Sequence, residues 1–358
     1  MASFRDARLM LLASYDDGLI DEEELLVLYD LNTSKNPVFP YESYERFELT
    51  DMDEAECKAE LRFEKSDLPQ LAEALRIPQE FKCKQRTVCD GMEGLCMLLR
   101  RMAYPCRYRD LIPRFGRPVP VVCMITTTVA DFVYENNAHR ITEWNDAILN
   151  PESLERYAEA IHLKGAALNN CFGFVDGTVR PICRPNVNQR QVYNGHKRVH
   201  ALKFQSVAIP NGLIANLYGP VEGKRHDAAM LVESGLLDSL QQHNFSGTGQ
   251  PLCTYGGPAY PLRVHLQAPY RQAVMTPEMH EFNTSMSAVR TSVEWLFGDI
   301  INYFKFVDFK KNLRIVLSSV GKMYVVCAVL RNALTCLYQN QSSYYFNLEP
   351  PTLQEYFR

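Results

Sequence analysis

Residues 171–183 read CFGFVDGTVRPIC. The segment alternates and is rich in Phe and Val, the pattern of a β-strand. Asp176 stands in its middle. A charged residue inside an apolar strand is costly unless it is paired or meets a cation. Two readings follow: Asp176 caps a turn at Gly177 near a strand end, or the strand carries an acid into a site.

Working outward from this strand, residues 198–210 (RVHALKFQSVAIP) predict a second, with Pro210-Asn211-Gly212 as the turn. Residues 213–221 (LIANLYGPV) predict a third and 251–257 (PLCTYGG) a fourth. Between them, residues 226–240 (HDAAMLVESGLLDSL) predict one helix, started at Asp227. Residues 285–304 (SMSAVRTSVEWLFGDIINYF) predict a long helix, capped by Ser285 or Ser287. Strands, a helix, a further strand and closing helices describe an α/β sheet layered with helices.

The part before this sheet reads as helical. Acidic residues ahead of Leu25, Leu26 and Leu28 suit a helix N-terminus. Two short amphipathic helices are expected between Asp51 and Ile77. Residues 91–137 predict three helices: GMEGLCMLLRRMAYP, then CRYRDLIPRFG with Gly116 as the stop, then a longer one begun near Pro120. Two shorter helices and a tight turn before a longer helix is the helix-turn-helix order. Arg107, Arg109 and Arg114 lie around its first turn and are candidates for gripping phosphates. The alternative is a three-helix bundle with a solvated arginine surface. The third helix holds no Lys or Arg before Arg140, which gives base reading little support. The expected organisation is an acidic helical arm over 1–80, a helix-turn-helix-like region over 81–165, the α/β domain over 166–340 and a tail over 341–358.

Composition narrows the class. The 358 residues are 46% hydrophobic and 22% charged, as in ordinary soluble domains. No uninterrupted apolar run approaches the roughly 18 residues of a membrane span, so a soluble intracellular protein with no membrane partner is expected. The 11 cysteines form no CxxC pair and read as free thiols. Net charge is −4, yet residues 1–80 hold 8 Lys/Arg against 20 Asp/Glu, a balance of −12, which leaves +8 for the rest. Such asymmetry suggests an acidic arm attached to a body that meets a polyanion.

Three carboxylates are candidates for chemistry: Asp176, Asp227 and Glu294. Glu294 lies beside the apolar stripe of Val293, Leu296 and Phe297, and its spacing is also that of a surface glutamate. Asp227 follows Lys224, Arg225 and His226, and a helix N-cap explains it equally. Taken in order they resemble an RNase H-like nucleotidyl transferase, which places one acid on the first strand, one after the fourth and one on a late helix. Two divalent metals about 4 Å apart need several carboxylates to hold them.

Six separated segments make the resemblance specific: FGFVDGTVRPICRP, QRQVYNGHKRVHALKFQSVAIPNGL, YGPVEGKRHDAAML, YGGPAYPL, FNTSMSAVRTSVEWLFG and VGKMYVVCAVLRNALT. In this order they resemble the PIF/Harbinger transposases, whose catalytic region is a DDE-type endonuclease domain. The likeness covers roughly 40–358 and is densest over 165–335. It implies an RNase H-like fold, Mg²⁺ or Mn²⁺ as cofactors, and double-stranded DNA of transposon terminal repeats as substrate, cut and rejoined by in-line displacement. It implies that Asp176 is the first acid and Glu294 the third. The second belongs to a GDPAY-like segment, where this chain reads Gly256-Gly257-Pro258-Ala259-Tyr260. Gly257 therefore occupies the second acid's position and leaves it vacant. An impaired nuclease is the expectation, with a domesticated DNA- or partner-binding protein as the alternative, and Gly257→Asp is expected to restore metal binding. Asp227 is a possible substitute ligand. Arg190, Lys197, Arg198, Lys203, Lys224 and Arg225 are candidates for a DNA path, or are solvated surface charges. The resemblance further implies a Myb-like accessory protein that aids DNA binding and nuclear entry, with the chain cytoplasmic in its absence, and leaves room for a homo-oligomer.

Overall fold

The computed structural model describes residues 4–32, 40–315 and 317–358. Two strands, β1 (Glu80–Lys82) and β2 (Val88–Asp90), form an antiparallel hairpin. The main sheet is built from β3 (Cys171–Pro181), β4 (Tyr193–Asn194), β5 (Val199–Ala208), β6 (Ile214–Glu222), β7 (Cys253–Gly256) and β8 (Leu266–Gln267). Its main path runs β6-β5-β3-β7-β8, with the short β4 also on β5. Among the long strands of the meander, β5 lies between β3 and β6 and pairs antiparallel with each. β7 and β8 add to the other side of β3 in parallel. Asp176 is therefore on the central strand, and that strand continues to Pro181 rather than turning at Gly177.

Helices cover the sheet. The helix Pro151–Leu163 and the C-terminal helices Pro277–Tyr303 and Val320–Tyr338 supply most of this cover. Val320–Tyr338 is long and apolar enough to cross a membrane by length and composition, but 83% of that stretch is buried inside the fold. It is the core helix. Asn332 reads the start of β6 with both amide atoms: its Oδ1 accepts from the Ile214 N–H and its Nδ2 donates to the Ile214 carbonyl, each at 2.9 Å. Arg331, 1% exposed, pairs with Asp299 at 2.9 Å and donates to the Gly212 carbonyl. A buried guanidinium is tolerated only with such partners.

Two expectations about helices need correction. The segment after β6 forms two helices, Asp227–Glu233 and Leu236–His243, because Gly235 takes φ +64 between them. The long helix begins at Pro277, not at Ser285 or Ser287. Thr276 caps it by accepting the Met279 N–H, and Pro277 needs no hydrogen-bond donor in the first turn.

The helical part before the sheet contains Gly91–Ala103, the short Ile112–Phe115 and the long Val119–Asn137, in the expected order. Helices Glu54–Leu61 and Leu68–Ala74 are present as well. Both bury leucines in one hydrophobic core that runs from Phe47 to Phe357. The acidic stretch thus divides near residue 40. Beyond that point it is part of the body, while helices Phe4–Asp16 and Glu22–Leu31 pack on each other. The last residues also join the core through Phe346, Leu353, Tyr356 and Phe357. Arg140 donates to the carbonyls of Tyr356, Phe357 and Arg358, which holds the chain's end in place.

Candidate functional site

The parallel pairing of β3 with β7 aligns Phe174 with Tyr255 and Val175 with Gly256. One step further along, the chain brings Gly257 beside Asp176. The two glycines differ in what the fold demands of them. A Cβ on Gly256 would lie 2.7 Å from the Tyr260 ring and 3.0 Å from Val175, so close packing requires glycine there. A Cβ on Gly257 would meet Arg290 Nη2 at 3.3 Å and Asp176 Oδ1 at 3.9 Å, and Gly257 lies outside the left-handed region of φ. Neither backbone conformation nor backbone crowding requires glycine at 257. A side chain there would point at Asp176.

Asp176 is 23% exposed and is held by two contacts. Arg290 Nη2 lies 2.8 Å from its Oδ2, and the Gly177 N–H donates to its Oδ1 at 2.9 Å. Burial nonetheless pushes the Asp176 pKa above the ordinary carboxylate range, against the opposing pull of Arg290 and the Gly177 N–H, and the nearby Asp227 adds to the rise. Asp227 comes within reach because Gly177 has no side chain: a Cβ there would be 2.7 Å from Asp227 Oδ1. Asp227 is the first residue of its helix, and His226 takes the cap position. Its carboxylate pairs with Lys203 Nζ at 2.6 Å. Lys203 also donates to the Arg225 carbonyl at 2.7 Å, so this buried ammonium from β5 has two fixed acceptors.

Glu294 lies on Pro277–Tyr303 and is exposed. Among the described residues it forms no salt bridge. Arg290 precedes it by four residues, one helical turn, on the same side of the helix. The sequence reading passed over Arg290. Its signal was the spacing of four to Glu294 within AVRTSVEW.

The basic candidates separate into two groups. Lys197, Lys203, Lys224 and Arg225 line one cleft of about 740 Å³ with His196, His226 and Asp227, and Gly177 forms part of its wall. Of these, Arg225 is matched by Glu222 and Glu233, each at 3.1 Å, and Lys203 by Asp227. Lys197, Arg198, Lys224 and Arg190 are exposed and, among the described residues, form no salt bridge. In the helical region Arg107 and Arg109 are exposed, whereas Arg114 pairs with Glu56 and, at 3.2 Å, with Glu60.

The residues present do not fit a pair of divalent cations. Among the described residues, no group of three or more His, Cys, Asp or Glu side chains is arranged to hold a metal ion. Of the acids the sequence singles out, Asp176 and Asp227 each carry a protein cation already, Gly257 offers no ligand, and only Glu294 is without a salt bridge among the described residues.

Residues 175–332 match the model of a family described as DDE superfamily endonuclease. That stretch begins beside Asp176 on β3 and ends at Asn332 in the core helix. It spans Asp227, Gly257 and Glu294. No curated protein matches the chain, and no solved structure does.

Proposed function

We propose that this chain is a transposase-type DDE nuclease fold of the PIF/Harbinger kind that engages double-stranded DNA without cutting it. The observation that carries this reading is position 257. Glycine stands beside Asp176, facing it, at a place where the fold does not require glycine. The order β6-β5-β3-β7-β8, with β7 and β8 parallel to the central β3, supports an RNase H-like domain. The match to DDE superfamily endonucleases over 175–332 supports transposase-type chemistry as the origin of the site.

DNA binding then rests on cations that pair with no carboxylate among the described residues. Lys197 and Lys224 line the cleft, Arg198 and Arg190 are exposed near them in sequence, and all four are available to phosphates. Arg107 and Arg109 extend this set in the region we read as helix-turn-helix-like. Arg114, Lys203 and Arg225 hold internal carboxylates and serve the fold. With a net charge of only −4 and few free cations, the chain binds DNA weakly alone, which favours a Myb-like accessory protein and a nuclear location set by it. Assembly into a homo-oligomer belongs to the same proposal.

The test uses the full chain and terminal-repeat duplex DNA. Binding is expected to weaken steeply with salt, because each neutralised phosphate releases counterions. Replacing Lys197, Arg198 and Lys224 together by Ala should lower affinity about 10-fold and flatten the salt slope, for all duplex sequences alike. With Mn²⁺ present no nicking is expected. Nicking by the unaltered chain that Asp176→Asn abolishes would overturn the reading, as would DNA binding indifferent to salt.

A further inference from the structure

The acids at the edge of β3 are matched one for one. Arg290 reaches Asp176 from the long helix, and Lys203 reaches Asp227 from β5, at 2.8 and 2.6 Å. We infer that Arg290 and Lys203 take the place of divalent cations at this edge, so that the chain keeps the site as two internal ion pairs and takes up no Mg²⁺ or Mn²⁺ there. The inference rests on reading Asp176 as the first acid of a DDE site, and it adds a second departure from that site beyond Gly257.

The physical case has three parts. First, two of the three acids are neutralised by protein cations, which leaves Glu294 as the acid without a salt bridge among the described residues, and hard cations bind where several oxygens of free charge converge. Second, the two protein cations cannot easily step aside. A guanidinium stays protonated throughout the accessible pH range. Lys203 is buried and is also fixed by the Arg225 carbonyl. Third, Arg290 lies against both Asp176 and position 257. Its Nη2 would be 3.3 Å from a Cβ added there, closer than Asp176 Oδ1 at 3.9 Å. An aspartate restored at 257 would thus meet the guanidinium first. Arg290 has the planar fork that holds carboxylates, so the new acid would complete an Arg290-centred cluster rather than a free ligand set. On this inference Gly257→Asp alone does not rebuild the site, against the expectation from sequence.

The experiment measures metal directly, with no reaction involved. Mn²⁺ is titrated into the full chain and its binding followed by electron paramagnetic resonance, alongside melting scans with and without Mn²⁺ and Mg²⁺. Four proteins are compared: the unaltered chain, Gly257→Asp, Gly257→Asp with Arg290→Gln, and that double variant with Asp176→Asn. The first two should show no Mn²⁺ site dependent on Asp176 and a melting temperature shifted by less than about 1 °C. The double variant should bind Mn²⁺ and gain about 5 °C at Mn²⁺ 100-fold above its dissociation constant. Asp176→Asn should remove that gain. Should the double variant misfold, Gly257→Asp with Arg290→Lys keeps the charge and should remain as unresponsive as Gly257→Asp alone. The inference is overturned if the unaltered chain binds Mn²⁺ and Asp176→Asn removes the binding, or if Gly257→Asp alone responds as strongly as the double variant. Metal binding without nicking would sink this inference and leave the non-cutting DNA-binding reading intact, so the two fail separately.

Discussion

In the helical region Arg114 meets Glu56 and Glu60, Arg100 meets Glu60 at 3.2 Å, and Arg117 meets the buried Glu93 through two nitrogens at 2.6 and 2.7 Å. Around the turn between β4 and β5, Lys197 and Arg198 are exposed and meet no carboxylate among the described residues. The two regions look alike in composition, since both concentrate Arg and Lys near a turn. They differ in what lies opposite. Glu56 and Glu60 of the acidic stretch fold back onto Arg100 and Arg114, and Glu93 of the helix itself closes Arg117, while Arg107 and Arg109 stay exposed. The sheet edge receives no such cover. A basic cluster in sequence therefore says little about DNA until its counter-charges have been located.

The sharpest way to break this comparison is at Glu93. Its carboxylate is 8% exposed and holds Arg117, itself 13% exposed. Glu93→Ala leaves that guanidinium buried and unpaired. The expected cost is about 3 kcal/mol of stability, read as a lowered denaturation midpoint, with DNA affinity per folded molecule unchanged. A loss of DNA binding at full stability would show that the Glu93–Arg117 pair itself supports the DNA contact.

A smaller effect separates the neighbouring glycines at the end of β7. Gly256→Ala forces a methyl group into the Tyr260 ring and Val175 and should cost about 1–3 kcal/mol. Gly257→Ala meets side chains and no backbone, Arg290 Nη2 at 3.3 Å and Asp176 Oδ1 at 3.9 Å, and should stay within about 0.5 kcal/mol of the parent. Urea midpoints of the two variants measure the difference directly. Equal costs would mean that position 257 is constrained by packing, and its glycine would cease to mark a vacated acid.

The smallest effect is a pH dependence. Burial raises the Asp176 pKa in the folded chain despite its partner Arg290. A carboxyl with a raised folded pKa binds more protons folded than unfolded, so its contribution to stability is greatest below the unfolded pKa. That contribution falls as pH rises through the raised value. The stability of the parent relative to Asp176→Asn should therefore decline as pH rises across the acid range and level off above it. Melting temperatures of both proteins across that range give the sign. A relative stability that rises with pH would mean that Arg290, not burial, governs Asp176.

Much of this was legible in the chain itself. The alternation in 171–183 and 198–210, the turn at Pro210-Asn211-Gly212 and the three helices over 91–137 are local signals, because strand pleat and helical turn impose their own periods on buried residues. The expectation of a missing acid at 257 came from its place in YGGPAYPL, by resemblance and not from any local period. What sequence could not supply was the identity of each charge's partner. Arg290 finds Asp176 across 114 positions of chain and Arg114 finds Glu56 across 58, and no local period relates such pairs. Nor could it distinguish Gly256 from Gly257, adjacent and identical in the chain. One lies against a tyrosine ring and the other opens toward a carboxylate, and only the packing of β7 on β3 sets them apart.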